Sequence, residues 1–339
     1  MTTIQAARPN PAIYISVVLV LTLLASWFEL RVRNIFACQA SATADDFLAY
    51  CDAPHYGDYD HGAFWYSLEP AIGPYLRKAQ VLFMGNSRMQ WAFSGANTTS
   101  WFASAHASYY LLGFAYSENY VFEGDLLRKF GAQPKAYVID LDGFFLPSPS
   151  DPARMVMAGG DTLRHYQDKM FRQRVQEFVC SRLRGLCGHR FAFFRSRLTG
   201  QWARSGGSFP AVPASEDGAV DEALVTQQTA GGTEFLAPLP IAQECVVLTM
   251  VPSVSTRYAE AAAIAERLHL PLVAPRLEGL RTFDGSHLDS ASAERWSRAF
   301  YEQAGPLIER CLGRTTSPAA ASAAPPVRSR LYADTGAAR

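Results

Sequence analysis

The chain has 339 residues, which is enough for one large domain or two modest ones. Hydrophobic residues make up 49% of it, enough for a substantial core, and the formal net charge at pH 7 is zero. A balanced charge gives no global argument for a nucleic-acid partner, so we expect none.

A long apolar segment near the amino terminus predicts a membrane span. After a short tail, 1–10, the segment 11–28 carries no charge and lies near the lower limit of the ~17–25 residues that cross a bilayer. We therefore place a transmembrane anchor at 11–30. A cleavable signal peptide is the alternative, but charged residues follow where a small-residue cleavage site would stand. Arginines flank both ends of the segment, so they do not fix its orientation.

The next segment, 31–78, is interpreted as an irregular neck between the membrane and the main domain. It is rich in aromatic residues, which we expect to pack on that domain. His55 and His61 occur among aspartates, but their spacing is not diagnostic of a metal site. Turn-forming residues in a linker are the favoured interpretation, and we expect no metal and no cofactor.

The six cysteines of the chain indicate an oxidising compartment. Their number is even, and no zinc-binding spacing is present. Connectivity does not follow from sequence alone, and free buried thiols are the alternative. The disulfides that we expect are Cys38–Cys51, Cys180–Cys187 and Cys245–Cys311.

The main domain begins with an apolar strand, 79–85, and a serine follows it. Gly85 lets the chain turn sharply because glycine has no Cβ. Ser87 then lies at the start of a helix, where a nucleophile at the edge of a parallel sheet would lie. A second strand, 108–113, also ends in glycine, and a helix capped by its first residue is predicted over 117–130.

A third strand, 136–141, is followed by Asp142 and then by a long insertion, 147–240. The first half of the insertion, to about Arg204, is expected to be helical and is strongly basic, with aromatic residues interleaved. It is interpreted as a lid or platform on anionic lipid headgroups or an acidic glycan, or as amphipathic helices with a solvated basic face. The second half, 205–240, is rich in small residues and is predicted to be a flexible loop.

The last part of the chain completes an alternation of strands and helices. Two strands, at 245–250 and 271–274, enclose a helix at 255–269, and Ser290 is expected to cap a last helix to about Gln303. This alternation predicts an α/β domain with a mostly parallel sheet. The tail, 313–339, has too few apolar residues to bury and is expected to be disordered.

Asp284 and His287 lie three residues apart, just before the last helix. With Ser87 they supply a nucleophile, an orienting carboxylate and a base in a workable order. Gly85-Asn86-Ser87 and Asp284-x-x-His287 resemble the first and last motifs of the SGNH (GDSL-like) hydrolase and acyltransferase superfamily, with Asn where many members have Asp. The resemblance covers roughly 79–312, with an insertion, and implies a three-layer α/β/α domain.

The resemblance also implies roles for single residues. The catalytic residues would be Ser87, Asp284 and His287. The backbone N–H groups of Ser87 and Gly113 would form the oxyanion hole. The asparagine that usually follows the third strand in this superfamily is missing here. Asn119 would therefore be a substitute oxyanion donor, by its proximity to Gly113. Asp142 would take the place of the missing asparagine, either as a protonated carboxyl group or as an auxiliary residue that orients another group.

More narrowly, the chain resembles membrane-anchored SGNH-like proteins that work in O-acylation of bacterial extracellular polysaccharides and cell-wall polymers. This implies a single-pass protein of the bacterial inner membrane with its catalytic domain in the periplasm. It would move an acyl group, acetyl being favoured, to a glycan hydroxyl through an acyl-serine. A polytopic membrane protein would deliver the acyl group. The alternatives are a glycan esterase with the same site, and a catalytically silent glycan-binding or scaffold subunit.

Overall fold

A computed structural model describes residues 10–32 and 35–313. The predicted tails, 1–10 and 313–339, lie outside the described residues except for positions 10 and 313. The helices are α1 (Pro11–Val32), α2 (Asp60–Trp65), α3 (Ile72–Lys78), α4 (Ser87–Phe93), α5 (Ala96–Ser104), α6 (Tyr120–Phe130), α7 (Asp151–Met157), α8 (Thr162–Arg182), α9 (Glu222–Leu236), α10 (Tyr258–Leu268) and α11 (Ser290–Cys311). The strands are β1 (Asp46–Cys51), β2 (Gly57–Asp58), β3 (Val81–Asn86), β4 (Tyr109–Phe114), β5 (Ala136–Asp140), β6 (Ala192–Ser196), β7 (Trp202–Ser205), β8 (Val212–Pro213), β9 (Val246–Thr249) and β10 (Arg281–Thr282).

Helix α1 exposes its apolar side chains along its length. Its segment Pro11–Leu30 is long and apolar enough to cross a membrane. Length and composition fit a membrane anchor, and they fit a signal sequence as well.

The central sheet is parallel, with strand order β4-β3-β5-β9. Alternate side chains of β3 enter two different apolar clusters, Leu82 and Met84 on one face and Val81 and Phe83 on the other. Helices α6, α9 and α10 contribute to the first cluster, and α4, α5 and α11 contribute to the second. Because successive side chains of a strand point to opposite faces, helices bury both faces of this sheet. The α/β class and the parallel sheet are thus confirmed.

A second sheet is antiparallel, with strand order β2-β1-β6-β7, and it joins the neck to the insertion. The prediction of an irregular neck is therefore wrong, because β1 lies in this sheet and α2 and α3 follow it. Arg195, in β6, is fully buried and connects the two sheets. It donates to Asp60 Oδ2 at 2.5 Å and to the carbonyl oxygens of Gly113 and Leu111 in β4 at 3.0 and 2.5 Å.

The insertion is more ordered than its composition predicts. Helix α8 lies where a helix was expected, but β6 and β7 occupy the rest of the half predicted to be helical. The half predicted to be a flexible loop contains α9, which the side chain of Asp221 caps. Its glycines serve close packing, since a Cβ on Gly231 would lie 2.1 Å from the carbonyl oxygen of Phe145. Small residues here indicate a tight helix contact rather than a linker.

All three predicted disulfides are present. They join the pairs Cys38–Cys51, Cys180–Cys187 and Cys245–Cys311. Disulfides persist in oxidising compartments, which favours an extracytoplasmic location.

Two predicted helix caps are wrong. Asn119 caps α6 by accepting from the Val121 N–H, whereas Ser117 has a φ of 58° and lies outside the helix. Asp289, not Ser290, caps α11 by accepting from the Ser292 N–H. That helix continues to Cys311, beyond the predicted end. The short strand predicted at 271–274 is reduced to a single bridge between β9 and Leu272.

Candidate active site

The chain turns sharply where β3 meets α4, and this turn presents Ser87. Every residue of β3 is buried, so the strand fixes the position of its end. Gly85 has a φ of +145°, and a Cβ there would lie 3.0 Å from Asp140 Cβ. Asn86 Oδ1 accepts from the Arg88 N–H at 2.8 Å and so caps α4. Ser87 therefore begins a helix at the carboxyl edge of the parallel sheet, the edge at which such sheets bind ligands.

The predicted Ser, His and Asp side chains meet in one hydrogen-bonded chain. His287 Nε2 lies 2.8 Å from Ser87 Oγ, although 200 positions separate the two residues. His287 Nδ1 lies 2.7 Å from Asp284 Oδ2. We assign the tautomer in which Nδ1–H donates to Asp284, because Nε2 can then accept the Ser87 proton. The Phe283 ring stacks on the His287 imidazole, with centroids 5.4 Å apart and planes 19° apart.

Asp284 is held as a carboxylate. Its Oδ1 accepts from the N–H groups of Ser286 and His287 at 2.9 and 2.8 Å. Partial burial would raise its pKa, but these bonds and the His287 side chain outweigh burial and hold the pKa below its usual value. The carboxylate can therefore stabilise an imidazolium at His287.

Arg88 is a site residue that the sequence reasoning missed. Its Nη1 lies 2.8 Å from Asp142 Oδ2, and its Nε donates to Ser286 Oγ at 3.1 Å. Asp142 Oδ2 also accepts from Asn86 Nδ2 at 2.6 Å. Asp142 thus holds the two residues that flank Ser87. The signal that could have found Arg88 is a cation directly after the candidate nucleophile.

The geometry does not support the two other predicted oxyanion donors. The Gly113 N–H donates to Gln90 Oε1 at 3.0 Å, within the protein interior. A Cβ on Gly113 would lie 2.9 Å from the Asn86 carbonyl oxygen, so close packing against the turn requires this glycine. Asn119 is buried, and its Nδ2 donates to the Leu146 carbonyl oxygen at 2.7 Å. Of the predicted donors, only the Ser87 N–H lies next to the Ser87 hydroxyl.

Two buried carboxyl groups lie behind the turn. Glu123 Oε2 accepts from the Gly85 N–H at 3.1 Å, and burial raises the pKa of Glu123 well above its usual value. Asp140 Oδ1 accepts from the Val251 N–H at 3.0 Å. Burial, with the Asp142 charge, raises the pKa of Asp140 to about 8. Neither residue was predicted, because its role depends on burial that the local sequence does not reveal.

A cavity of about 320 Å³ opens beside the Arg88–Asp142 pair. The loop after β5 and helix α10 form part of its wall, and α9 of the insertion adds Leu224 and Gln228. Its size lies at the lower end for small-molecule pockets. The insertion thus shapes the space beside Arg88 and Asp142.

Comparisons of this chain with models of protein families, with curated proteins and with solved structures found no match.

Proposed function

We propose that this chain is an SGNH-like serine acyltransferase with a three-layer α/β/α domain. The observation that carries the proposal is the hydrogen-bonded chain from Ser87 Oγ through His287 to Asp284, at 2.8 and 2.7 Å. A serine, an imidazole and an ionised carboxylate in this order can activate a hydroxyl for attack on an acyl group. The helices on both faces of the parallel sheet support the proposed layers.

In the first half-reaction Ser87 Oγ attacks the carbonyl carbon of the acyl donor, and its proton passes to His287 Nε2. Asp284 stabilises the resulting imidazolium. The Ser87 N–H is the proposed donor to the oxyanion. When the tetrahedral intermediate collapses, the bond to the leaving group breaks and His287 returns its proton to that group. In the second half-reaction a glycan hydroxyl gives its proton to His287 and attacks the carbonyl carbon of the acyl-serine. The ester bond to Ser87 Oγ then breaks, and His287 returns the proton to Ser87.

The proposed setting is the bacterial inner membrane, with α1 as the anchor and the domain in the periplasm. The three disulfides support an extracytoplasmic domain. The acceptor proposed is an extracellular glycan or cell-wall polymer, and a polytopic membrane protein would supply the acyl group. These partners are proposed from the SGNH resemblance.

The first test is covalent labelling of Ser87 in the full-length protein. An alkyl fluorophosphonate should attach to Ser87, as mass spectrometry of the peptide would show, and Ser87→Ala should abolish labelling. His287→Gln should slow labelling by about 10³-fold, because no base then takes the proton. Ser94→Ala is the matched control, since that serine ends α4 and donates to the Gln90 carbonyl oxygen. Labelling that Ser87→Ala leaves unchanged would refute the nucleophile.

The molecule that accepts the acyl group, a sugar or water, distinguishes an acyltransferase from an esterase. Acyl-enzyme formed from p-nitrophenyl acetate should be discharged faster when oligosaccharides are added, with acetyl appearing on the sugar. Discharge to water alone would favour the glycan esterase.

One observation favours a second candidate, a catalytically silent glycan-binding or scaffold subunit. The Gly113 N–H and Asn119 Nδ2 both bind other groups of the protein, so two expected oxyanion donors are engaged. Glycan binding with equal affinity by the unaltered protein and Ser87→Ala, and no fluorophosphonate adduct, would support this candidate.

A further inference from the structure

Helix α8 exposes apolar side chains on the face that points away from the protein. Phe171, Val175 and Phe178 are 68%, 40% and 60% exposed, and Leu183, just after the helix, is 54% exposed. The first three of these residues follow one another at intervals of four and then three positions, so they lie in one row along the helix. We call these four residues the apolar stripe. The side chains on the opposite, buried face are Tyr166, Gln173, Gln176 and Cys180.

This arrangement reverses the usual pattern of a surface helix, which buries its apolar side chains and exposes its polar ones. Two glutamines lie on the buried face, whereas two phenylalanines lie in the open. Removing each of these phenylalanine side chains from water, by contact with a membrane or another molecule, would be favourable by about 1.5–3 kcal/mol. A contiguous exposed apolar stripe of this kind marks a surface that a membrane or another molecule covers.

Cations border the apolar stripe. The exposed arginines of α8 and the turn after it are Arg164, Arg172, Arg174, Arg182 and Arg184. The Arg182 guanidinium lies 3.9 Å from the centroid of the Phe178 ring, so its stem follows the stripe. An apolar row with arginines beside it is typical of helices that lie at the headgroup level of anionic bilayers.

The stripe ends beside the proposed membrane span. The Cys180–Cys187 disulfide holds the turn Arg184–Leu186 at the end of α8. In that turn Gly185 faces Trp27 of α1, and a Cβ on Gly185 would lie 3.7 Å from the indole. Trp27 lies near the end of the apolar segment Pro11–Leu30, the position at which tryptophans of membrane spans typically contact the headgroups. If α1 spans a bilayer, the end of α8 lies at its surface.

We propose that the apolar stripe and its arginines bind the anionic lipid surface of the membrane that α1 crosses. This inference rests on the anchor of the proposed function. A single span leaves a domain free to rotate and tilt, whereas a second contact through α8 fixes its orientation. The active site would then stay at a constant height above the lipid.

Photo-crosslinking of the full-length protein tests the contact. p-Benzoyl-phenylalanine replaces Phe178 in one sample and Tyr75 in the other; Tyr75 is a matched exposed aromatic on α3, 43% exposed. Both proteins are placed in vesicles of phosphatidylcholine alone or with phosphatidylglycerol. We expect at least about ten-fold more lipid adducts from position 178 than from position 75, with more in the anionic vesicles. Equal adducts from both positions, or only protein–protein adducts from position 178, would overturn the proposal.

Alkaline extraction of the same vesicles separates this inference from the anchor. If the protein resists extraction but position 178 forms no lipid adduct, the lipid-binding stripe is refuted and the anchor stands. If alkali removes the protein, the anchor and the stripe are refuted together. Tryptophan fluorescence of each sample shows that the protein is folded without relying on its activity. Neither the extraction result nor the crosslinking result bears on the chemistry at Ser87.

Discussion

The Arg88 guanidinium forms an ion pair with Asp142, 2.8 Å from Nη1 to Oδ2, directly beside Ser87. The same guanidinium donates to Ser286, between Asp284 and His287, at 3.1 Å. One side chain therefore connects the turn that carries Ser87, the loop after β5 and the loop that carries His287. We infer that it fixes the distance between Ser87 and His287.

Replacing Arg88 should impair labelling of Ser87 more than it impairs folding. Arg88→Gln cannot hold both partners, so we expect fluorophosphonate labelling to slow by about 10–100-fold with little change in melting temperature. Arg88→Lys keeps the charge but lacks the planar fork, and should restore only part of the rate. Arg128→Gln is the matched control, since Arg128 is exposed and pairs with Asp125 on α6. Unchanged labelling in Arg88→Gln would show that the bridge is dispensable.

Gly85→Ala should be strongly destabilising. Alanine rarely adopts a φ of +145°, and its Cβ would press against Asp140 at 3.0 Å. We expect a loss of about 2–4 kcal/mol in the free energy of unfolding, measured with urea. Gly131→Ala is the control, since it has a φ of +64° and open space around it. That control should lose only about 1 kcal/mol. Similar losses in the two variants would contradict the crowding argument.

Sequence predicted the catalytic candidates because each lies in a short local pattern at the end of a strand. The geometry brings Ser87, Asp284 and His287 together. The local pattern failed at Gly113. A glycine that ends a strand does not reveal whether its N–H is free, and here Gln90 takes it.

The second sheet could not be predicted, because its strands come from distant parts of the chain. β1 pairs with β6, so that Phe47 lies opposite Arg195, and pairing across such a distance leaves no local signal. The sequence predicts that Arg195 is part of a basic surface, yet this residue is fully buried and donates to the carbonyl oxygen of Gly113 in β4. The sequence predicts a lid or platform, or a pair of amphipathic helices, whereas β6 of the insertion supports the edge strand β4 of the central sheet.

Asp140→Asn should stabilise the protein at alkaline pH. Burial, with the Asp142 charge, raises the pKa of Asp140 from 3.8 to about 8 in the folded state. Between these values the unfolded chain has released its proton while the folded chain retains it, so raising the pH through this window lowers stability. Asparagine avoids that penalty and can still accept from Val251. Its gain in melting temperature over the unaltered protein should grow from pH 4 to pH 9, whereas Asp125→Asn should show no such trend.

His61 should contribute stability that alkaline pH removes. Its Nδ1 lies 3.0 Å from Asp58 Oδ1 and its Nε2 lies 2.9 Å from Glu118 Oε2, and the histidine is fully buried. Burial alone would lower its pKa, but the two carboxylates outweigh burial and raise the pKa from 6.5 to about 10. This contribution is complete below pH 6.5 and disappears as the pH rises through about 10, because the folded protein binds the proton more tightly.

His61→Gln would leave the two buried carboxylates without their cation. We expect a loss of about 3–5 kcal/mol in the free energy of unfolding at pH 6. The difference from the unaltered protein should shrink as the pH approaches 10, which urea unfolding at pH 6, 8 and 10 would measure. His165→Gln, at an exposed position on α8, should stay within about 0.5 kcal/mol at pH 8 and 10, because burial lowers the pKa of His165 and its imidazole is then neutral in the folded and unfolded states. A constant loss in His61→Gln at all three pH values would mean that packing, and not the charge of His61, supports this part of the fold.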